Sequence, residues 1–354
     1  MILELKRIME GNGIDALFIS NIFNVRYISG YNSDDAYVLV IKDKLFFITD
    51  TRYTEDATYS CSGFEIINWH KCKSVGRAVS DLLDKEGVKE LHFEEKSTSY
   101  SLYKDIMKNT SLILHPVKDI VEGLRSVKNQ DEIDHLKKAC AIGDRAFSRI
   151  LNEIRVGMSE KEISSKLAYY LRMEGSDARN YENIALSGER TSLLHGIPSD
   201  RKVQEGDLIL MDFGAGYKGY LSDMSRTIVM GKASEKQKEI YTIIKASVEN
   251  MVASIKSGIK IKEAYKASVK PMSKTQYMQY HYAGVGHGIG LAVHEIPFIG
   301  PDNDAVFLTN NVITLEPGVY IPNWGGVRIE EQVIVTDEGC DVITKSPTDL
   351  IEIA

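Results

Sequence analysis

Cysteine is scarce in this 354-residue chain: Cys61, Cys72, Cys140 and Cys340 lie far apart, and none belongs to a Cys-x-x-Cys pair. That spacing gives neither a disulfide framework nor a thiolate zinc site, and leaves four buried or inert thiols. Nowhere do about 18 apolar residues run together, so no membrane-spanning helix is expected. The start, MILELKRIMEGNGIDALFIS, lacks the cationic segment, apolar core and small-residue cleavage site of a secretory leader, and a cytoplasmic protein is expected. Basic tracts are missing too. A net charge of -7 and a pI near 5.7 argue against nucleic acid or an anionic membrane as partner. What remains, 43% hydrophobic and 26% charged, is ordinary for a soluble globular protein and long enough for two domains with separate cores.

Residues 1–118 alternate short strands and helices, an α/β pattern. Ile2, Leu5, Ile8 and Met9 suit an amphipathic helix, Asp15 to Ser20 a strand, and Tyr37–Ile41 with Leu45–Thr49 a hairpin turning at Asp43-Lys44. His70, His92 and His115 stand alone, as structural or surface histidines do, so this half reads as a support domain. From residue 119 the pattern changes to long helices and then strands, an α+β domain of residues 119–354. Ser159 with Glu162, and Ser234 with Gln237, form capping boxes that open helices. Two helices followed by strands occur twice, the order of two similar halves.

Two hairpins stand out. Leu208–Phe213 and Tyr220–Val229 are strand-like around a turn at residues 216–219, and a pairing centred there sets Asp212 directly opposite Asp223. Like charges so placed destabilise a sheet unless a cation lies between them. Asp212 also follows the apolar run Leu208–Met211, where a carboxylate is paired or metal-bound. The second hairpin, symmetric about Asn323, opposes Glu316 in LEPGVY to Glu330 in VRIEEQVIV, while His287 lies in the glycine-rich GVGHGIG. Four carboxylates and one imidazole make an oxygen-dominated site, suited to divalent manganese, cobalt or iron rather than to a structural zinc. Two ions roughly 3.5–4 Å apart would clamp a water and lower its pKa toward about 7, which is hydrolytic chemistry. Asp207 begins its strand five residues before Asp212, and Glu331 should face away from Glu330, so neither is an expected ligand.

The segments LRSVKNQDEIDHLKKACAIGD, LLHGIPSDRKVQEGDLILMDFGAGYKGYLSDMSRT, GHGIGLAVHE, LEPGVY and VRIEEQVIV resemble aminopeptidase P and prolidase, the pita-bread metallopeptidases. Steps of eleven from Asp212 to Asp223, seven from His287 to His294 and fourteen from Glu316 to Glu330 follow that family's order. Residues 1–118 are similar to its creatinase-like amino-terminal domain, so the resemblance covers essentially the whole chain. It implies a catalytic pita-bread domain and two divalent metal ions, most readily manganese, with cobalt, zinc or iron as alternatives. Asp212, Asp223 and Glu330 would bind one ion; Asp223, His287, Glu316 and Glu330 would bind the other. It further implies a bridging hydroxide attacking the scissile carbonyl, Glu316 taking its proton, His294 on the carbonyl oxygen and His195 lining the substrate site. Arg328, two residues before Glu330 and so on the same strand face, would orient a carboxylate.

Blander readings stand beside these: His195 and His294 as loop histidines, Arg328 as a surface ion pair, and His281, off the motif, as structural. The chain departs from the family pattern at Ala283, Ala292 and Leu194, where a histidine, an acidic residue and a proline are usual. The resemblance implies a homodimer acting on small peptides with proline second. Phe298 stands where related prolidases carry an arginine for the dipeptide carboxylate, which favours an Xaa-Pro aminopeptidase over an Xaa-Pro dipeptidase. A pita-bread binding module without catalysis is the reading from another class, and the retained ligands oppose it.

Overall fold

The computed structural model describes residues 1–109, 112–178 and 182–354. Two compact units divide at Arg125 and Ser126, seven residues beyond the expected boundary, because helix 120–126 belongs mostly with the strands before it.

The first unit is a mixed six-stranded sheet with helices on both faces. In chain order it contains α1 (Ile2–Gly11), β1 (Ala16–Ile19), α2 (Ile22–Ser29), β2 (Ala36–Ile41), β3 (Lys44–Thr49), α3 (Thr54–Ser60), β4 (Glu65–Asn68), α4 (Val75–Glu86), β5 (Glu90–Glu94), α5 (Tyr100–Asn109), β6 (Ile113–Val117) and α6 (Ile120–Ser126). The strand order is β4-β3-β2-β1-β5-β6. Alternation sorts the side chains: Leu17, Ile19, Val38, Val40 and Phe47 share a core with Leu5 and Met9 of α1, while Phe18, Leu39, Phe46 and Ile48 share one with Val79 and Leu83 of α4. The β2–β3 turn is Lys42-Asp43, one residue earlier than expected, with Lys42 at φ 50°.

The second unit opens with α7 (Gln130–Leu151) and α8 (Glu160–Met173), each entered through a capping box, Asn129 with Glu132 and Ser159 with Glu162. Next come β7 (Ile184–Ser187), β8 (Leu208–Phe213), β9 (Gly216–Tyr217), β10 (Tyr220–Leu221) and β11 (Met224–Met230). Ala146, Phe147, Ile150, Ile163 and Leu167 pack against Ile209, Met211 and Ile228 of this sheet. Burying side chains of that size contributes roughly 1.5–3 kcal/mol each. Then α9 (Glu235–Ser254), entered through the expected Ser234–Gln237 box, and α10 (Ile261–Val269) precede β12 (His287–Gly288), β13 (Glu295–Phe298), β14 (Val312–Leu315), β15 (Gly318–Ile321), β16 (Gly325–Arg328), β17 (Glu331–Val335), β18 (Cys340–Val342) and β19 (Glu352–Ile353). The two-helix-then-strand order does occur twice, ending in sheets β19-β11-β8-β7 and β13-β12-β14-β17-β18.

The first hairpin is not in the expected register. Lys218 and Gly219 both have positive φ, 49° and 79°, the geometry of a type I′ two-residue turn, which moves the centre one residue toward the C-terminus. Asp212 therefore faces Ser225, and Asp223 lies just before β11. The slip amounts to two residues of pairing, so both aspartates stay on one face as diagonal rather than direct neighbours. The second hairpin has the expected register: Leu315 pairs with Glu331 and Gly318 with Arg328, which leaves Glu316 and Glu330 opposite each other where β14/β17 passes into β15/β16. Of the excluded carboxylates, Asp207 binds Arg201 at 2.6 Å and Glu331 binds Arg226 at 2.6 Å. All four cysteines are free thiols.

Candidate metal centre

Seven of the eight residues singled out from the sequence line one cavity of about 450 Å³: His195, Asp212, Asp223, His287, His294, Glu316 and Arg328. The eighth, Glu330, lies buried at 1% exposure. Ligand atoms of Asp223, His287 and Glu330 fall within 4.8 Å of one another. His287 Nε2 is 3.3 Å from Glu316 Oε1 and 3.8 Å from Asp223 Oδ2. Close backbone approach makes this possible: a Cβ on Gly288 would stand 2.3 Å from the Ile296 carbonyl oxygen, so only glycine lets β12 lie so tightly against the following strand.

Asp212 reaches the same cavity from β8 and is held by Arg328 Nη2 at 2.5 Å. Arg328 is 2% exposed and also donates to Ser225 Oγ (2.8 Å) and the Tyr320 hydroxyl (3.0 Å). The surface-ion-pair reading of Arg328 is thereby excluded. Ser225 passes the chain on, donating from Oγ to Glu330 Oε2 at 2.8 Å, and its carbonyl accepts the Glu330 amide at 3.0 Å. The Asp223 amide donates to Gln332 Oε1 at 3.1 Å. Ser225, Tyr320 and Gln332 were missed in the sequence. Ser225 and Gln332 had a readable signal, since they lie two residues from Asp223 and Glu330.

Charge decides what the arrangement can hold. Burial pushes the Glu330 carboxyl well up, and Asp223, Glu316 and Asp212 push it further. Among the described residues its Oε1 has no hydrogen-bond partner. Burial works against a proton on His287, but Glu316 and Asp223 outweigh it and raise its pKa to about 9. Burial likewise raises Glu316, and the hydrogen bond from His287 reverses the shift, leaving it low. Both shifts reflect an excess of negative charge around His287 and Glu330. A donor set of carboxylates and one imidazole, short of positive charge, fits hard or borderline divalent ions.

The two other histidines are exposed. The His294 ring lies 4.3 Å from that of His287, centroid to centroid, and loss of water on its packed side, followed by repulsion from His287, lowers its pKa. His281 stands apart from the ligands, its Nδ1 3.3 Å from the Gly318 carbonyl oxygen. Phe298 and Tyr282, both more than half exposed, also line the cavity.

Residues 134–337 match Metallopeptidase family M24 and residues 1–127 match the Creatinase/Prolidase N-terminal domain. The chain is similar to the Xaa-Pro dipeptidase of Pyrococcus horikoshii, 36% identical over 97% of this chain and 96% of that one. Among solved structures it resembles an Xaa-Pro dipeptidase from Bacillus anthracis, with 38% identity, TM-score 0.95 and 99% of both chains covered. An X-Pro aminopeptidase from Thermotoga maritima gives 32% identity, TM-score 0.91 and the same coverage. With its cluster of acidic and imidazole donors in the matched region, the chain belongs to metallopeptidase family M24, a family whose name implies divalent metal, and carries a creatinase/prolidase-type amino-terminal domain.

Proposed function

We propose that the chain hydrolyses the Xaa-Pro bond at the amino terminus of short peptides. The observation that carries this reading is the convergence of Asp212, Asp223, His287 and Glu316 on one cavity over the unpartnered oxygen of Glu330. Asp212, Asp223 and Glu330 would hold one divalent ion, and Asp223, His287, Glu316 and Glu330 a second; we favour manganese. Bound there, such ions supply Lewis acidity that lowers the pKa of a water and polarises a carbonyl. Glu316 accepts the proton of the attacking water. His294, facing the cavity beside His287, donates to the carbonyl oxygen as negative charge develops, and His195 contacts the substrate from the opposite loop. Arg328 holds the Asp212 carboxylate in place at the cavity.

An amide nitrogen in a proline ring has no N–H, so the site needs no acceptor for one. Among the described residues Arg328 is the one lysine or arginine lining the cavity, and it is already committed to Asp212 and Tyr320. With Phe298 and Tyr282 also lining the cavity, the described residues offer a prolyl carboxylate no spare guanidinium or ammonium. This favours peptides longer than two residues, an aminopeptidase P-like activity. A second reading, Xaa-Pro dipeptidase, draws on the dipeptidase relatives at 36% and 38% identity, and His195 and His294 would then take the carboxylate.

Assay of Leu-Pro and Gly-Pro against Arg-Pro-Pro, with manganese, cobalt and zinc in turn, separates the two. Hydrolysis of the tripeptide is expected, and turnover of dipeptides alone would establish the second reading. A chain that binds no metal would be the inactive module. We further propose a cytoplasmic homodimer, tested by its mass in solution at micromolar concentration; among the described residues no helix is long and apolar enough to cross a membrane.

A further inference from the structure

His287 and His294 stand at the two ends of one loop, and that loop is wrapped around a buried carboxylate that is absent from the cavity lining. Glu295, next to His294, is 7% exposed. Its Oε1 accepts the Ala292 amide at 3.0 Å, and its Oε2 lies 3.1 Å from Lys128 Nζ. Lys128 is itself 2% exposed, so the ion pair is withdrawn from water at both ends. Gly290 makes the space, since a Cβ there would stand 2.7 Å from Glu295 Oε2. Lys128 is fixed in turn: its amide donates to the Asn310 carbonyl at 3.0 Å, Val127 bridges to Asn311, and Asn311 Nδ2 donates to the Ser126 carbonyl at 2.9 Å. Asn311 directly precedes β14, whose Ile313 pairs with Gly288 and whose end runs into Glu316.

A buried ion pair is a poor source of net stability, because apolar residues of equal volume do as well or better. What it supplies here is place. We propose that Lys128, from outside the cavity, is a positioning residue: through Glu295 it fixes loop 288–295 and so holds the His294 imidazole against His287. The proposal rests on the assignment of His294 to the substrate carbonyl.

Three variants test it: Lys128→Met, Lys128→Arg and the double variant Lys128→Met with Glu295→Gln. For each, kcat and KM are measured on an Xaa-Pro peptide with saturating manganese, together with metal bound per chain and hydrogen exchange of amides 288–295. Lys128→Met should lower kcat tenfold or more, change KM less than threefold, leave metal content unchanged and speed exchange of those amides at a temperature where the chain is folded. Lys128→Arg should recover most of kcat. The double variant strands no charge, retains an oxygen to accept from Ala292, and should fall between Lys128→Met and wild type. It carries the test if Lys128→Met does not fold. Wild-type kcat and wild-type exchange in the double variant, or a change confined to melting temperature or KM, would overturn the proposal. If the wild-type protein hydrolyses no Xaa-Pro peptide, the functional reading fails, while the exchange measurement still decides the tether.

Discussion

Among the described residues, Asp212, Asp223, Glu316 and Glu330, with the exposed Glu182 also lining the cavity, are matched by a single guanidinium, that of Arg328, and this imbalance gives each buried residue a distinct expected behaviour. The metal-free fold carries the cost of keeping Glu330 buried among like charges. Glu330→Gln is therefore expected to melt above the wild type when both are stripped by chelator, and to lose both activity and the gain in melting temperature that manganese gives the wild type. Relief of about 1 kcal/mol corresponds to roughly 2–4 °C for a domain of this size. Thermal scanning with and without metal checks it; a stripped variant that melts below stripped wild type would contradict it. Ser225 tests the supporting contacts. It links Arg328 to Glu330 and is not part of the cavity lining, so Ser225→Ala should weaken metal binding by about 10- to 100-fold in calorimetric titration, with little change in far-ultraviolet circular dichroism.

Whole elements position these residues, and the loop that carries His195 shows how. Glu160, at the first turn of α8 and fully buried, accepts from both ends of that loop: the Ser187 amide at 2.8 Å, and the Ser199 amide and hydroxyl at 2.8 and 2.7 Å. Arg190 Nε binds the same carboxylate at 3.0 Å. Glu160→Gln replaces one acceptor oxygen by a donor facing donors, and kcat/KM is expected to fall about tenfold through misplacement of His195. A lower melting temperature with unchanged kcat/KM would show that the clamp serves the fold alone. Such a clamp was not legible in the sequence, since a glutamate at a helix start already has a sufficient local explanation in the helix dipole. The capping boxes at Ser159 and Ser234 were legible because both partners lie within four residues. The Glu316–Glu330 register could be read because its hairpin is symmetric. The Asp212–Asp223 register could not, because it depends on whether Lys218 accepts a positive φ.

At the scale of the molecule, the change from alternating short elements to long helices pointed to two units, and spaced motifs picked out residues that the fold brings to one cavity. Lys128 and Glu295, 167 residues apart, stayed hidden because nothing local links them. The first unit yields a separate pH dependence. His92 and His115 are cross-strand neighbours on β5 and β6, with rings stacked at 4.8 Å. Burial, and then repulsion from His115, depresses the His92 pKa below its usual 6.5. The folded state therefore binds that proton less readily than the unfolded chain. This contribution is complete above pH 6.5 and is lost as the pH falls through the lower folded value. Acid loss from Asp50, held low by Arg52, and from Glu162, held at about 2 by Ser159 and Lys202, starts only below about pH 4.5, so the two windows separate. Melting of the first unit followed from pH 8 to 5 should show a decline beginning near pH 6.5, and His92→Gln should lessen it while leaving the fall below pH 4.5 in place. An unchanged slope between pH 6.5 and 5 in that variant would mean that the stacked pair does not govern the first unit's acid response.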